Sequence, residues 1–167
     1  MAPVRIRLLS PDEATAYREI RLEALRLHPT AYSSTFDGDA ARDLAWFAER
    51  LRGSDVFAAF DGAQLVGTAG LRVFEGGKVA HKAVLWGMYV RPDARKGGIG
   101  RSLAEAVIGH ARERVELIQL SVVRGNDVAK RLYASLGFVE YGVEPNAFKQ
   151  NGVYYDDVLM AKDLRSA

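Results

Sequence analysis

Apolar and basic residues alternate at the start of the chain, with Val4, Ile6 and Leu8 set against Arg5 and Arg7, which is the period of a strand with one buried face. Ser10-Pro11-Asp12-Glu13 follows, placing Ser at a helix N-cap, Pro at the first helical position and Glu at the third. The helix predicted there runs to about Leu27 and stops at His28-Pro29. A polar and aromatic loop is predicted over Thr30–Asp37. A second helix is predicted over about Asp39–Leu51, with Leu44, Phe47 and Leu51 on one side.

Two apolar runs, Val56–Phe60 and Gln64–Phe74, flank Asp61-Gly62, a pair that favours a tight hairpin. A third run, Val79–Val90, follows Gly76-Gly77, so the three runs predict an antiparallel meander. Along the last of them Val84, Trp86, Met88 and Val90 alternate with Leu85, Gly87 and Tyr89. Both sets are largely apolar, as in a central strand covered on both faces. Beyond Pro92, Ile99, Leu103, Val107, Ala111 and Val115 recur at helical spacing opposite Arg101, Glu105 and Arg112, the pattern of a helix packed on a sheet. Leu117–Val123 is a short β-rich run. Asn126 then starts a short helix to about Leu136 that Gly137 closes. Phe138–Phe148 and Val153–Met160 read as strands about a turn at Asn151-Gly152. The strand–helix–strand unit over 79–123 is the place for a parallel crossover. The order predicts an α/β fold with a mixed, mostly antiparallel central sheet of about seven strands flanked by about four helices.

Length and composition narrow the class. The 167 residues suit a single domain, 1–167, and 49% apolar with 26% charged residues is the balance of a globular protein. Lys and Arg exceed Asp and Glu by 23 − 21 = +2, with no run of like charges, which gives nucleic-acid binding no support. The absence of cysteine excludes disulfides, thiolate metal sites and a cysteinyl acyl-enzyme. No apolar stretch approaches the ~20 residues that span a bilayer, and the N-terminal segment lacks a signal-peptide core, so a cytoplasmic protein without membrane association is expected.

One segment carries chemistry. In Val90-Arg-Pro-Asp-Ala-Arg95-Lys-Gly97-Gly98-Ile99-Gly100-Arg101-Ser102, a buried strand feeds a glycine turn and then a helix N-terminus. The first amides of a helix lack intrahelical partners and sit at the positive end of its dipole. Glycines admit an anion close to the backbone, and Arg95, Lys96 and Arg101 add charge, so the segment suits a diphosphate. Neither the P-loop pattern nor the full dinucleotide fingerprint is present.

The spacing Arg95-x-x-Gly98-x-Gly100 resembles the coenzyme A loop of the GCN5-related N-acetyltransferase superfamily. Further on, Asn126-x-x-Ala129-x-x-Leu132-Tyr133-x-x-x-Gly137-Phe138 is similar to a second motif of that superfamily, in the same order and context. The resemblance covers the chain from about Val56 onward. It implies an acetyltransferase that uses acetyl-CoA as co-substrate and no metal. Backbone of Met88, Tyr89 and Val90 would hold the pantetheine and the thioester carbonyl. The loop over Arg95, Lys96, Gly97, Gly98, Ile99, Gly100, Arg101 and Ser102 would hold the diphosphate. Asn126 would contact the cofactor or simply cap its helix, and Lys130 would meet the adenosine phosphate or face solvent. The resemblance makes Tyr133 the acid that protonates the departing thiolate; read from the residues alone, it is a core aromatic beside Leu132 and Leu136.

The proton acceptor is open. The strand Ala83–Val90 holds no acid, and Glu75, Asp37, Glu144, Asp156 and His81 are the candidates considered. Acceptor specificity is expected in the first two helices, in the loop His28–Asp37 and in the turn Val143–Gly152. The expected reaction is direct attack of a primary amine, from a small molecule or a peptide, on acetyl-CoA in a ternary complex. The alternative is a catalytically weak coenzyme A-binding sensor. A monomer or homodimer is expected.

Overall fold

The computed structural model describes residues 3–165. Seven strands form one sheet: β1 (Arg5–Leu8), β2 (Asp55–Asp61), β3 (Gln64–Val73), β4 (Lys82–Val90), β5 (Leu117–Val123), β6 (Val139–Gln150) and β7 (Val153–Asp163), in the spatial order β1-β2-β3-β4-β5-β7-β6. β4 and β5 are parallel and every other neighbouring pair is antiparallel, as the meander and the crossover unit predicted. The α-helices are α1 (Ala14–Leu27), α2 (Phe36–Ala40), α3 (Leu44–Gly53), α4 (Ile99–Arg112) and α5 (Asp127–Ser135). No helix among the described residues is long and apolar enough to cross a membrane.

The helical N-terminal region departs from expectation in detail. The loop predicted over Thr30–Asp37 and the helix predicted from Asp39 become two helices, α2 and α3, because two residues compete to start a helix. Thr35 accepts the Gly38 amide at 3.1 Å, and Asp43 accepts the Trp46 amide at 2.9 Å. The fourth strand begins at Lys82 rather than Val79, since the Val79 and Ala80 amides turn back onto the Gly76 carbonyl. Pro11–Glu13 forms a 3-10 turn ahead of α1. There the Glu13 carboxylate takes the Ser10 amide at 2.8 Å and pairs with Arg7 at 2.7 Å.

Strand alternation divides the core into two layers. Ala59, Leu71, Leu85, Ile118, Leu120 and Met160 point to the face covered by α4, where Leu103 and Val107 are fully buried. Ala58, Val56 and Leu65 point to the opposite face, under Tyr17 and Ile20 of α1 and Phe47 of α3. Neighbouring residues such as Ala58 and Ala59 therefore serve different layers, as period-two geometry requires.

Two irregularities shape the centre of the sheet. The β4–β5 pairing consists of Lys82↔Leu117, Ala83↔Ile118 and Val84↔Gln119 and then ends, although β4 continues against β3 to Gly67↔Val90 and β5 continues against β7 to Val123↔Asp157. The sheet thus splits between two inner strands. In β4, Gly70 pairs with Trp86 but Thr68 pairs with Tyr89, so Gly87 and Met88 together oppose Ala69. Gly87 adopts φ +64°, which a glycine reaches without steric penalty. This bulge shifts the alternation by one residue. Trp86 and Tyr89 both pack in the α1 layer, while Leu85, Met88 and Val90 pack in the α4 layer.

Candidate active site

The glycine turn sits at the mouth of the split. Pro92–Gly97 forms a 3-10 turn, Gly98 takes φ +71°, and α4 begins at Ile99. The Ser102 amide closes the first helical turn on the Gly98 carbonyl at 3.1 Å, so the amides of Ile99, Gly100 and Arg101 precede the first intrahelical bond. Ile99 is buried in the core and pins the turn to the sheet. A Cβ built at Gly98 meets nothing within 4 Å, so the space in front of the helix end is open.

The basic side chains here divide. Arg95 turns back toward the sheet: its Nε donates to the Val90 carbonyl at 2.9 Å and its guanidinium meets His28 Nε2 at 2.8 Å. Arg101 bridges α4 and α5 through Glu105 and Ser135, each at 3.0 Å. Lys130 pairs with Glu140 at 2.5 Å. Lys96 is exposed and has no ion-pair partner among the described residues. Asn126 Oδ1 accepts the Ala129 amide at 3.3 Å and so caps α5.

Tyr133 projects from α5 into the α4 layer. It is buried, with its ring edge-on to Phe138 at 5.7 Å. Among the described residues its hydroxyl has no hydrogen-bond partner. Burial pushes its phenol well above the ordinary value, with Tyr32 adding a smaller push, so the group holds its proton throughout the neutral range.

On the opposite face lies a cavity of about 600 Å³ against the bulge and the split, reached by Arg21, Tyr32, Arg50, Arg72, Trp86, Gly87 and Ser121. Arg21 is buried and pairs with the buried Asp39 at 3.4 Å. Arg50 lies over the rings of Trp46 and Trp86 at 4.7 and 4.8 Å, and Arg72 lies over Phe74 at 5.6 Å. Among the described residues neither Arg50 nor Arg72 has a carboxylate in ion-pair reach, and no acid lines the cavity. Tyr32 donates to the Met88 carbonyl at 2.7 Å, and burial raises its phenol to about 12. A smaller cavity of about 390 Å³ is formed by Leu25, Pro29, Phe36 and Asp37 with Gln150 from the tip of the β6–β7 hairpin. The loop His28–Asp37 therefore contributes to both cavities.

The carboxylates considered from the sequence are scattered. Asp37 lines the smaller cavity, and Glu75 and His81 lie exposed around the turn before β4. Asp156 is held by Arg124 at 3.1 Å and by the Asn146 amide at 2.8 Å, and Glu144 pairs across the strands with Asp157. The cavity arginines Arg50 and Arg72, and Asp157 itself, were not singled out from sequence. On one chain they read as solvated charges on amphipathic elements, and no spacing shows that α3, β3 and β7 converge.

The profile of the acetyltransferase (GNAT) family matches residues 18–138. The L-methionine sulfoximine/L-methionine sulfone acetyltransferase of Pseudomonas aeruginosa is 33% identical over 134 residues, covering 75% of each chain. The ribosomal-protein-alanine N-acetyltransferase of Brucella melitensis has a TM-score of 0.81 at 29% identity, covering 95% of this chain and 99% of that one. YncA of Salmonella typhimurium, whose structure holds its cofactor acetyl-CoA, has a TM-score of 0.83 at 24% identity, covering 99% and 96%. Fold, motif order and these relatives agree: the chain belongs to the GNAT family of acetyltransferases.

Proposed function

We propose that the protein transfers the acetyl group of acetyl-CoA to a primary amine by direct attack in a ternary complex, and that the amine carries an anionic group. The observation that supports this most is the split between β4 and β5, which opens beside the glycine turn and the N-terminus of α4. The residues fit the co-substrate: the amides over Gly97–Arg101 suit its diphosphate, Lys96 adds charge, and the open space at Gly98 admits it. Met88, Tyr89 and Val90 form one wall of the split, with Asn126 beyond the end of β5. The Met88 and Val90 carbonyls are already engaged by Tyr32 and Arg95, so any pantetheine bond to those oxygens requires these side chains to yield.

Acetyl-CoA supplies an activated acyl group. The chain supplies the proton that leaves with the thiolate, from the Tyr133 hydroxyl. The acceptor enters the larger cavity, where Arg50 and Arg72 offer donors for a carboxylate or a similar anion. The methionine sulfoximine and methionine sulfone named for the Pseudomonas relative are amino-acid amines, in line with that reading.

The test is coenzyme A release, followed with a thiol reagent, across amino acids, their amides, uncharged amines and peptides. Faster turnover of the carboxylate-bearing amines than of their amides is the expected result. Release with none of them, despite acetyl-CoA binding, would favour the sensor reading.

A further inference from the structure

The acyl transfer proposed above needs a group that takes a proton from the attacking amine, and β4 holds no acid. We infer that Asp157 is that group. The inference rests on the acetyltransferase reading and on the strand register around the split.

β4 and β5 run parallel, and their last pair is Val84↔Gln119. Counting forward from it brings Trp86 level with Ser121, and the bulge at Gly87–Met88 level with Val123. Asp157 is the direct partner of Val123 on β7. Side chains of directly paired residues lie on one face of a sheet. The α4 layer takes Ile118, Leu120 and Val122 of β5 and Val158 and Met160 of β7, so Ser121, Val123 and Asp157 face the other way; Ser121 lines the acceptor cavity, and Asp157 stands beside Ser121, outside that lining. The helices α1 and α3 pack over β2 and β3, and on this wing of the sheet Ser121 is exposed.

The surroundings suit a proton acceptor. Asp157 is half-buried and makes no ion pair among the described residues, whereas Asp156, on the other face of the strand, is occupied by Arg124 and the Asn146 amide. Across on β6 the charged group facing it is Glu144. From β5 it meets Ser121 and Val123, neither of them charged at any relevant pH. Burial pushes its carboxyl above the usual range; the nearby Ser121 hydroxyl opposes this, and the Glu144 charge adds a smaller upward push. A carboxylate raised in this way is more basic than an ordinary aspartate. The other buried or half-buried acids are spent: Glu13 on Arg7, Asp39 on Arg21, Glu23 on Tyr89 and Arg91, and Asp55 on His110 and Arg114.

The step balances. The amine nitrogen forms a bond to the thioester carbon and its proton passes to Asp157. The carbon–sulfur bond then breaks, and the thiolate takes the Tyr133 proton. Solvent restores both residues to their starting states.

The experiment compares wild type, Asp157→Asn and Glu144→Gln, using whichever primary amine in the panel above releases coenzyme A fastest. Thermal melts and acetyl-CoA affinity are measured on each variant. Asp157→Asn is expected to melt and bind acetyl-CoA like wild type and to lose kcat/KM by on the order of 10²–10⁴-fold, with the acidic limb that belongs to the carboxylate gone. Glu144→Gln keeps most of the activity and moves that limb to lower pH, because the repulsion that raises the Asp157 carboxyl is removed. Wild-type turnover with unchanged kcat/KM and pH profile in Asp157→Asn overturns the assignment and leaves the acetyltransferase intact. A rise in KM alone also overturns it, making Asp157 an ammonium anchor. No turnover by wild type with any amine removes the acetyltransferase reading, and the role of Asp157 falls with it.

Discussion

The Tyr32 hydroxyl donates 2.7 Å to the Met88 carbonyl, so a residue of the helix-free stretch before α2 is fastened to the bulge in β4. This bond ties the acceptor loop to the strand that borders the split. Removing it in Tyr32→Phe leaves a carbonyl without its partner and is expected to cost about 0.5–1.5 kcal/mol, read from denaturant melts. Acceptor KM should rise more than acetyl-CoA affinity falls. An unchanged acceptor KM would show that the fastening is structural alone.

Alkaline pH tests the same region. Burial raises the phenols of Tyr17, Tyr32, Tyr89 and Tyr133, with Tyr32 at about 12. An unfolded tyrosine ionises near pH 10, so the unfolded chain binds fewer protons than the folded one above that pH. Stability from these groups is fully present below about pH 10 and is lost as pH climbs toward 12. Melting temperature should therefore fall steeply above about pH 10, and less steeply in Tyr32→Phe.

Gly98→Asp tests the diphosphate cradle. The site is open, so the side chain fits, although φ +71° adds strain of roughly 1 kcal/mol for a residue other than glycine. The carboxylate then stands where the diphosphate is proposed to lie, and acetyl-CoA binding should disappear in calorimetry while the fold is kept. Gly100→Asp is the companion variant, where a Cβ meets Leu132 at 3.7 Å. Unchanged affinity in both would remove the cradle from this loop.

Tyr133→Phe separates the acid from the core aromatic. The ring keeps its edge contact with Phe138, so folding and acetyl-CoA affinity should hold while single-turnover rate falls by on the order of 10²-fold or more. A donor with a more acidic leaving thiol should lose less. A purely packing role instead predicts full activity in Tyr133→Phe and a loss of roughly 3–5 kcal/mol in Tyr133→Ala.

The two cavities make different predictions for acceptor choice. Arg72→Ala should raise the KM of carboxylate-bearing amines by about tenfold or more, the loss of one charge-assisted hydrogen bond, with a smaller effect on their amides. Phe36→Ala, at the smaller cavity, should change acceptor KM without that charge dependence. Steady-state kinetics on paired acids and amides distinguishes them.

Much of the architecture was legible because periodicity changes sharply along the chain. Leu117–Val123 runs from a charged turn to Arg124-Gly125, and the observed strand has those limits. Asn126 and Gly137 bracket α5 for capping reasons that act locally. What local rules could not show was geometry set by packing. Gly87 continues the alternation of β4 in the sequence, yet its positive φ shifts every later side chain to the other face. Asp156 and Asp157 are adjacent acids, and only the pairing of β5, β7 and β6 shows that one binds Arg124 while the other turns toward the cavity side. Arg50 and Arg72 converge through the packing of α3 over the meander, a relationship with no counterpart in spacing.

The early end of the β4–β5 ladder has a mechanical consequence. A sheet normally exposes unpaired backbone only at its outer strands, whereas here two inner strands present facing rims to each other across a wedge. An extended molecule that carries its own amides can lie in the wedge as a strand would, bonding to one rim or both. The halves β1–β4 and β5–β7–β6 meet through three paired positions at the narrow end, so such a guest acts as a zipper that fixes their spread. Amide exchange along Leu120–Val123 should then slow when the wedge is filled, a stiffening felt well beyond the residues that touch the guest.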